Sequence, residues 1–210
     1  MTLFDHQSQR ELQSRAPLAA RMRPSTFDEY VGQQHIIGPE TVLRRSIESD
    51  QLPSIILWGP PGTGKTTLAN LIATATKSQF ERVSGVTSGV ADLRRIAAEA
   101  RERLGMHGQR TVLFVDEIHR FNKAQQDVIL PHVENGTFVL IGATTENPFF
   151  SVVAPLLSRS QIFEFKSLEE QDLVAVLQRA LTHPEAGLDQ HTVTVDDEAY
   201  AHIATYAEGD

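Results

Sequence analysis

Cysteine is absent from this chain, so neither a disulfide framework nor thiolate chemistry is open to it. That absence fits a reducing compartment, and a cytoplasmic location is the expectation. No apolar run approaches the length of a membrane span, so no membrane partner is expected. The opening MTLFDHQSQRELQSR has no basic region followed by an apolar core, and is not expected to act as a signal peptide. Positive charge is scarce: 19 Lys and Arg stand against 27 Asp and Glu, a net charge of −8 that argues against nucleic-acid binding by bulk charge. Any such contact would need a local patch. Internal repeats and low-complexity tracts are also missing. What remains, 40% hydrophobic and 22% charged over 210 residues, is ordinary for one large globular domain or a core plus part of a second.

The most informative stretch present is LPSIILWGPPGTGKTTLANLI, residues 52–72. An apolar strand, Ser54–Trp58, runs into Gly59-Pro60-Pro61-Gly62-Thr63-Gly64-Lys65-Thr66-Thr67 and then into an amphipathic helix. The middle fits the phosphate-binding pattern G-x-x-x-x-G-K-[ST], and its flanks supply the strand–loop–helix context that the pattern requires. The glycines let successive amides face phosphate oxygens, while the helix N-terminus adds positive dipole. Lys65 would lie against the β and γ phosphates, and the Thr66 hydroxyl would hold Mg²⁺.

Strand candidates are Ser54–Trp58, Gln79–Ser84, Thr111–Val115, Phe138–Ala143 and Gln161–Phe165. Helices fall between them: Thr66–Thr76 with Leu68, Leu71, Ile72 and Ala75 on one face, and Ala91–Leu104 with Leu93, Ile96, Ala97, Ala100 and Leu104. Such alternation predicts a mostly parallel sheet covered on both faces. Pro131 should kink or end a further helix near Leu130. After Phe165 the strand signals stop. Ser167-Leu168-Glu169-Glu170 fits a capping box opening a helix to about Leu181, and a second helix is expected from Asp196 to near Gly209. The resulting layout is a flexible arm (1–16), a nucleotide-binding α/β core (17–166) and the start of a helical domain (167–210).

TVLFVDEIH, residues 111–119, is an apolar strand ending in two acids. Asp116 is suited to Mg²⁺, and Glu117 to polarising an attacking water. His119 reads as a structural residue at the start of the next helix. A D-E-x-H helicase reading would demand a second motor core, for which there is no room.

In this order the motifs resemble an AAA+ ATPase of the clamp-loader clade, specifically the RarA/MgsA family of replication-associated recombination ATPases related to Werner-helicase-interacting protein. PLAARMRP (17–24), SGVTSGVADLR (84–94), DEIHRFNKAQQDVILPHVENG (116–136) and GATTENP (142–148) carry the resemblance, which runs from about Pro17 to the end. It implies a five-stranded parallel sheet in 5-1-4-3-2 order followed by an incomplete helical lid. It places Tyr30, Val31 and Ile36 in the adenine pocket, a first sensor at Thr145 with Asn147 as fallback, and an arginine finger at Arg159 in LLSRS, acting on a neighbouring subunit. The implied activity is Mg²⁺-dependent, DNA-stimulated ATP hydrolysis in replication-fork maintenance, recombination and repair. DNA with gaps or forks, single-stranded DNA-binding protein, the replisome and further copies of the chain are the implied partners. Family members continue past Gly209-Asp210 with a second sensor arginine, so the chain is expected to be a truncated piece with its own turnover in doubt. A clamp-loader subunit, a Holliday-junction branch-migration motor and a non-enzymatic nucleotide-gated scaffold are the alternative readings.

The eight histidines show no metal-ligand spacing. Arg94, Arg95, Arg101 and Arg103 could track a DNA backbone, but a solvated helix face neutralised by Asp92, Glu99 and Glu102 is the preferred reading. Leu3-Phe4 loosely resembles the end of a clamp-binding peptide.

Overall fold

Three of the apolar runs are buried on both faces, and this decides the architecture. In a computed structural model, which describes residues 16–184, 186–188 and 194–207, the first, β1 (Ser54–Trp58), carries Ile55, Ile56 and Leu57 with no exposed surface. Removing each such side chain from water contributes about 1.5–3 kcal/mol, so a centrally placed strand is where these residues gain most. The 1–15 arm with Leu3-Phe4, and the closing Gly209-Asp210, lie outside the described residues.

Described residues form two compact units, 33–167 and a second one made from 16–32 together with 168–207. Residues 17–32, read from the sequence as the beginning of the core, therefore cluster with the later helices.

In the larger unit, α1 (Val42–Glu48) precedes β1, and Thr41 caps it by accepting from the Arg44 amide at 3.3 Å. Then follow α2 (Lys65–Ala75), β2 (Gln79–Ser84), α3 (Val90–His107), β3 (Thr111–Asp116), a short 3₁₀ turn (Ile118–Arg120), α4 (Lys123–Glu134), β4 (Val139–Thr144), two single helical turns and β5 (Ser160–Glu164). All five strands are parallel, in the order β2-β3-β4-β1-β5, the order the resemblance implied. The central strands take the continuous apolar runs. The edge strands β2 and β5 take the mixed ones, whose exposed faces tolerate Glu81, Arg82, Gln161 and Glu164.

Helix α3 buries Leu93, Ile96, Ala97 and Ala100 as its periodicity requires, and Gly108 ends it in the left-handed conformation, φ 63°. Helix α2 buries Leu68, Leu71 and Ile72; Ala69 and Ala73 are also buried, whereas Ala75, expected on that face, is exposed in the last turn. A second departure concerns Pro131. The helix does not end near Leu130 but runs to Glu134, and the Asn135 amide donates to the Pro131 carbonyl at 3.1 Å. Proline in the last turn removes only one internal donor, and Asp127, four residues back, is at an exposed position where water can serve its carbonyl.

The smaller unit holds α5 (Glu170–Thr182) and α6 (Asp197–Ala207). The capping box expected at 167–170 is displaced by two residues. Glu169 is the N-cap, and its amide donates to the Asp172 carboxylate at 3.1 Å. The reason lies in Leu168, which packs where Gly32 (φ 77°) comes so close that a Cβ there would meet Leu168 Cδ2 at 2.5 Å. Arg179 on α5 donates to the Glu29 carbonyl at 2.8 Å and to the Glu29 carboxylate at 3.2 Å, pinning residues 22–30 to this helix.

Candidate active site

Parallel strands bring the loops that follow them to one edge of the sheet, and the charged residues singled out in the sequence collect there. The phosphate loop leaves β1 at Gly59, whose amide donates to the Thr144 carbonyl at 3.1 Å and whose φ is 148°. A Cβ at Gly59 would stand 2.2 Å from the Phe165 carbonyl oxygen, so backbone packing as well as conformation requires glycine. Thr63 is buried, and its hydroxyl donates to the Pro60 carbonyl at 2.9 Å, closing the loop. Pro60, Pro61 and Gly62 are exposed along the rim, and Gly64 caps α2 in the left-handed region.

Lys65 opens α2 and folds back over this loop, donating to the carbonyls of Gly59 at 2.9 Å and Pro60 at 2.6 Å. Burial lowers its pKa from the ordinary lysine value, opposed by the negative charge of Asp116. An ammonium group stacked on its own loop, with an acid within electrostatic reach, matches what a polyphosphate demands. Thr66 and Thr67 follow in the first helical turn, both half-buried.

Asp116 is the last residue of β3, and Glu117 directly after it adopts the left-handed conformation, φ 55° and ψ 52°. For a residue with a side chain this conformation costs on the order of 1 kcal/mol, and its presence at the acid is the kind of strain found at working sites. Gly85 makes it possible: a Cβ at Gly85 would meet the Glu117 carbonyl at 2.2 Å. Each acid has its own guanidinium. Arg82 on β2 reaches Asp116 at 2.6 Å, and Arg120 reaches Glu117 at 2.7 Å. The sequence reading missed both. For Arg82, strand alternation was the available signal, since it shares a face with Ser84, which pairs with Asp116.

His119 lies in the 3₁₀ turn with its Nδ1 2.9 Å from the Thr144 hydroxyl and its Nε2 3.8 Å from Glu146. A buried link thus joins the segment just after Glu117 to the end of β4. Thr145 is exposed immediately beyond it. Asn147, the fallback, spends its side chain on a turn, accepting from the Phe149 amide at 3.0 Å.

Among the described residues no cluster of three or more His, Cys, Asp or Glu could hold a metal. Thr66 and Asp116 offer one hydroxyl and one carboxylate, which suits Mg²⁺ taking its remaining oxygens from phosphates and water.

Beside Ile36, His35 Nε2 lies 2.9 Å from the Glu164 carbonyl and the Gln33 side chain donates to the Lys166 carbonyl at 2.6 Å, just where β5 ends. Tyr30 is buried in the smaller unit, its hydroxyl pKa raised by burial, and Val31 is half-buried there; Ile36 is buried in the larger unit. Arg159 immediately precedes β5, and Ser160 pairs with Ser54 at the start of β1. The full length of β1, about 13 Å at 3.3 Å per residue, separates that level from Gly59. On α3, Arg95 pairs with Glu99 at 2.7 Å, while Arg103 donates to Thr111 at 2.7 Å and to Glu81 at 3.2 Å. Arg94, Arg95 and Arg101 are exposed on this helix, and Arg103 is half-buried.

Residues 22–143 match the family model described as the Holliday junction DNA helicase RuvB P-loop domain. Replication-associated recombination protein A of Escherichia coli is 49% identical over 194 residues, covering 92% of this chain and 43% of that protein. ATPase WRNIP1 of Dictyostelium discoideum is 40% identical over 195 residues, covering 93% of this chain and 22% of that protein. The chain therefore spans less than half the length of these curated relatives. Among solved structures, the Thermotoga maritima RuvB Holliday junction branch migration motor superposes with a TM-score of 0.73 at 30% identity, over 90% of this chain and 61% of that one.

Proposed function

The chain belongs to the RuvB-type P-loop family of AAA+ ATPases, on the branch of the replication-associated recombination proteins A, and from that premise we propose that it is the Mg²⁺-dependent ATP-hydrolysing module of a DNA-coupled motor. The observation that carries this reading is the convergence of Lys65, Asp116 and Glu117 on one sheet edge, with the lysine seated on the carbonyls of Gly59 and Pro60.

Binding would begin with exchange at Lys65, whose ammonium leaves loop carbonyls for β and γ phosphate oxygens, joined by the loop amides between Gly59 and Thr67. Thr66 and Asp116 are the groups to hold Mg²⁺, which supplies neutralisation of the charge that develops on the phosphates. Glu117 would turn from Arg120 to an attacking water. The water oxygen bonds to the γ-phosphorus, the bond to the β–γ bridging oxygen breaks, and Glu117 takes the proton. Thr145 would orient that water or the γ-phosphate, with the His119–Thr144 link fixing its distance from Glu117. Tyr30, Val31 and Ile36 are assigned to adenine.

Arg159 would serve the nucleotide of a neighbouring copy, as an always-charged planar donor suits. Its place before β5, at the opposite end of β1 from the phosphate loop, supports action between subunits over action on its own site. DNA with gaps or forks, single-stranded DNA-binding protein and the replisome are the proposed partners, a reading supported by the likeness to replication-associated recombination protein A.

The test is steady-state ATP turnover by the full-length protein, with and without gapped or forked DNA, beside Glu117→Gln. Turnover stimulated by DNA and lost in Glu117→Gln is the expected result. Tight ATP binding with no Glu117-dependent turnover on any DNA would overturn the motor and leave a nucleotide-gated scaffold.

A further inference from the structure

The N-terminal edge of the sheet carries a feature that the reaction above does not use. A cleft of about 650 Å³ opens there in the larger unit, and Ser54, Glu134, Phe138 and Arg159 are among its walls. At its rim the Arg159 guanidinium is held from three sides. One nitrogen lies 2.7 Å from the Glu134 carboxylate. The other donates to the Pro155 carbonyl at 2.9 Å and to the Ser158 hydroxyl at 3.0 Å.

Both members of the Arg159–Glu134 pair are 42% exposed. At that exposure an ion pair adds about 0–1 kcal/mol to stability, so the fold gains little from it. What the contact does change is direction. Arg159 has four rotatable side-chain bonds, and a carboxylate that engages one edge of its planar fork selects few of the resulting orientations.

Glu134 is also the last residue of α4, and the N-cap of that helix, Asn122, follows the 3₁₀ turn that begins after Glu117. Asn122 and Gln125 bond reciprocally, at 3.0 Å and 2.8 Å, and so fix where the helix starts. A short 3₁₀ turn and then α4 therefore connect the water-activating acid to the carboxylate that holds the arginine.

We propose that Glu134 is a positioning residue: it aims Arg159 at the nucleotide of the neighbouring copy and links that aim, through α4, to the state of its own site. This rests on the assignment of Arg159 as a finger acting between subunits.

The test uses mixed assemblies of the full-length protein. Subunits carrying Glu117→Gln supply intact fingers but turn over no ATP themselves, and they are added in excess to Glu134→Gln or Arg159→Ala subunits. Alone, Glu134→Gln is expected to turn over about tenfold more slowly, with unchanged ATP affinity and an unchanged melting temperature, since misdirecting a reacting group costs rate rather than binding. In the mixture, each Glu134→Gln site is served by an intact neighbour and should return to the wild-type rate per competent site. Arg159→Ala should be restored in the same way. Failure to restore Arg159→Ala would remove the finger assignment itself. Restoration of Arg159→Ala would leave that assignment standing, and the positioning role would then fail in either of two ways. Glu134→Gln could run at the wild-type rate alone, or it could stay slow in the mixture, which would mean that it acts on its own site.

Discussion

The two edges of the sheet handle charge in opposite ways. At the edge where the strands end, Lys65, Asp116 and Glu117 are gathered by two strand–loop connections, those after β1 and β3, and each is engaged by a neighbouring group. At the edge where the strands begin, Arg159 is held by Glu134, Pro155 and Ser158 beside an open cleft. The first edge pairs its acids with Arg82 and Arg120; the second holds Arg159 on the single carboxylate of Glu134. The lesson is that parallel topology sets these groups at opposite ends of the strands, so that the proposed action of Arg159 on a nucleotide calls for a second copy.

The sharpest way to break this comparison is Arg159→Ala. Turnover by the assembled protein is expected to fall about 10³–10⁵-fold while ATP affinity stays near wild type, because the residue touches only the transferring group of a neighbour. A parallel loss of ATP affinity, read by titration with a fluorescent nucleotide, would place Arg159 at its own site and collapse the distinction between the edges. Next in size is Glu117→Gln, expected to lower kcat about 10²–10⁴-fold with binding retained. An unchanged kcat would take the first edge out of catalysis.

Gly59→Ala sharpens the comparison from the packing side. The added methyl meets the Phe165 carbonyl at 2.2 Å in a conformation that alanine resists, so strand β5 must shift or the loop must open. We expect ATP binding to weaken beyond detection at millimolar nucleotide, and the melting temperature to fall by several degrees, about 4 °C for each kcal/mol. The smallest effect should come from Arg94→Ala. Its charge is on an exposed helix face, and turnover without DNA should not change. If Arg94 does contact a DNA backbone, stimulation by DNA will lose about one unit of salt dependence.

Much of this division was legible in the amino-acid order. Ser54–Trp58 and Gln79–Ser84 have the boundaries read from the sequence, because an apolar run meeting glycine, or an alternating run meeting a turn, leaves the backbone few choices. The placement of Lys65 and Thr66 at a helix start after β1, and of Asp116 and Glu117 at the end of β3, was legible for a related reason: apolar runs that stop at glycine or at paired acids mark where strands end. Where local pattern and tertiary packing compete, the reading slipped. The capping box moved from Ser167 to Glu169 because Leu168 is drawn against Gly32, a residue 136 positions away in sequence that no local window contains. Pro131 stayed inside its helix because exposure at Asp127 made the missing hydrogen bond cheap. The guanidinium partners of the two acids were harder still. Arg82 meets Asp116 only through the β2–β3 register, and the pairing of strands is not written in either strand alone.

Lys65 carries a consequence for energetics. Its ammonium is already satisfied by two loop carbonyls and the Thr63 hydroxyl, the last at 3.4 Å. On the proposed reading, nucleotide arrival is a displacement in which phosphate oxygens replace loop oxygens around a half-buried cation. Affinity then reports the difference between two coordination shells. The loop is kept in its binding shape by the group that the ligand will take over, much as a jig holds a part until the final fastener arrives.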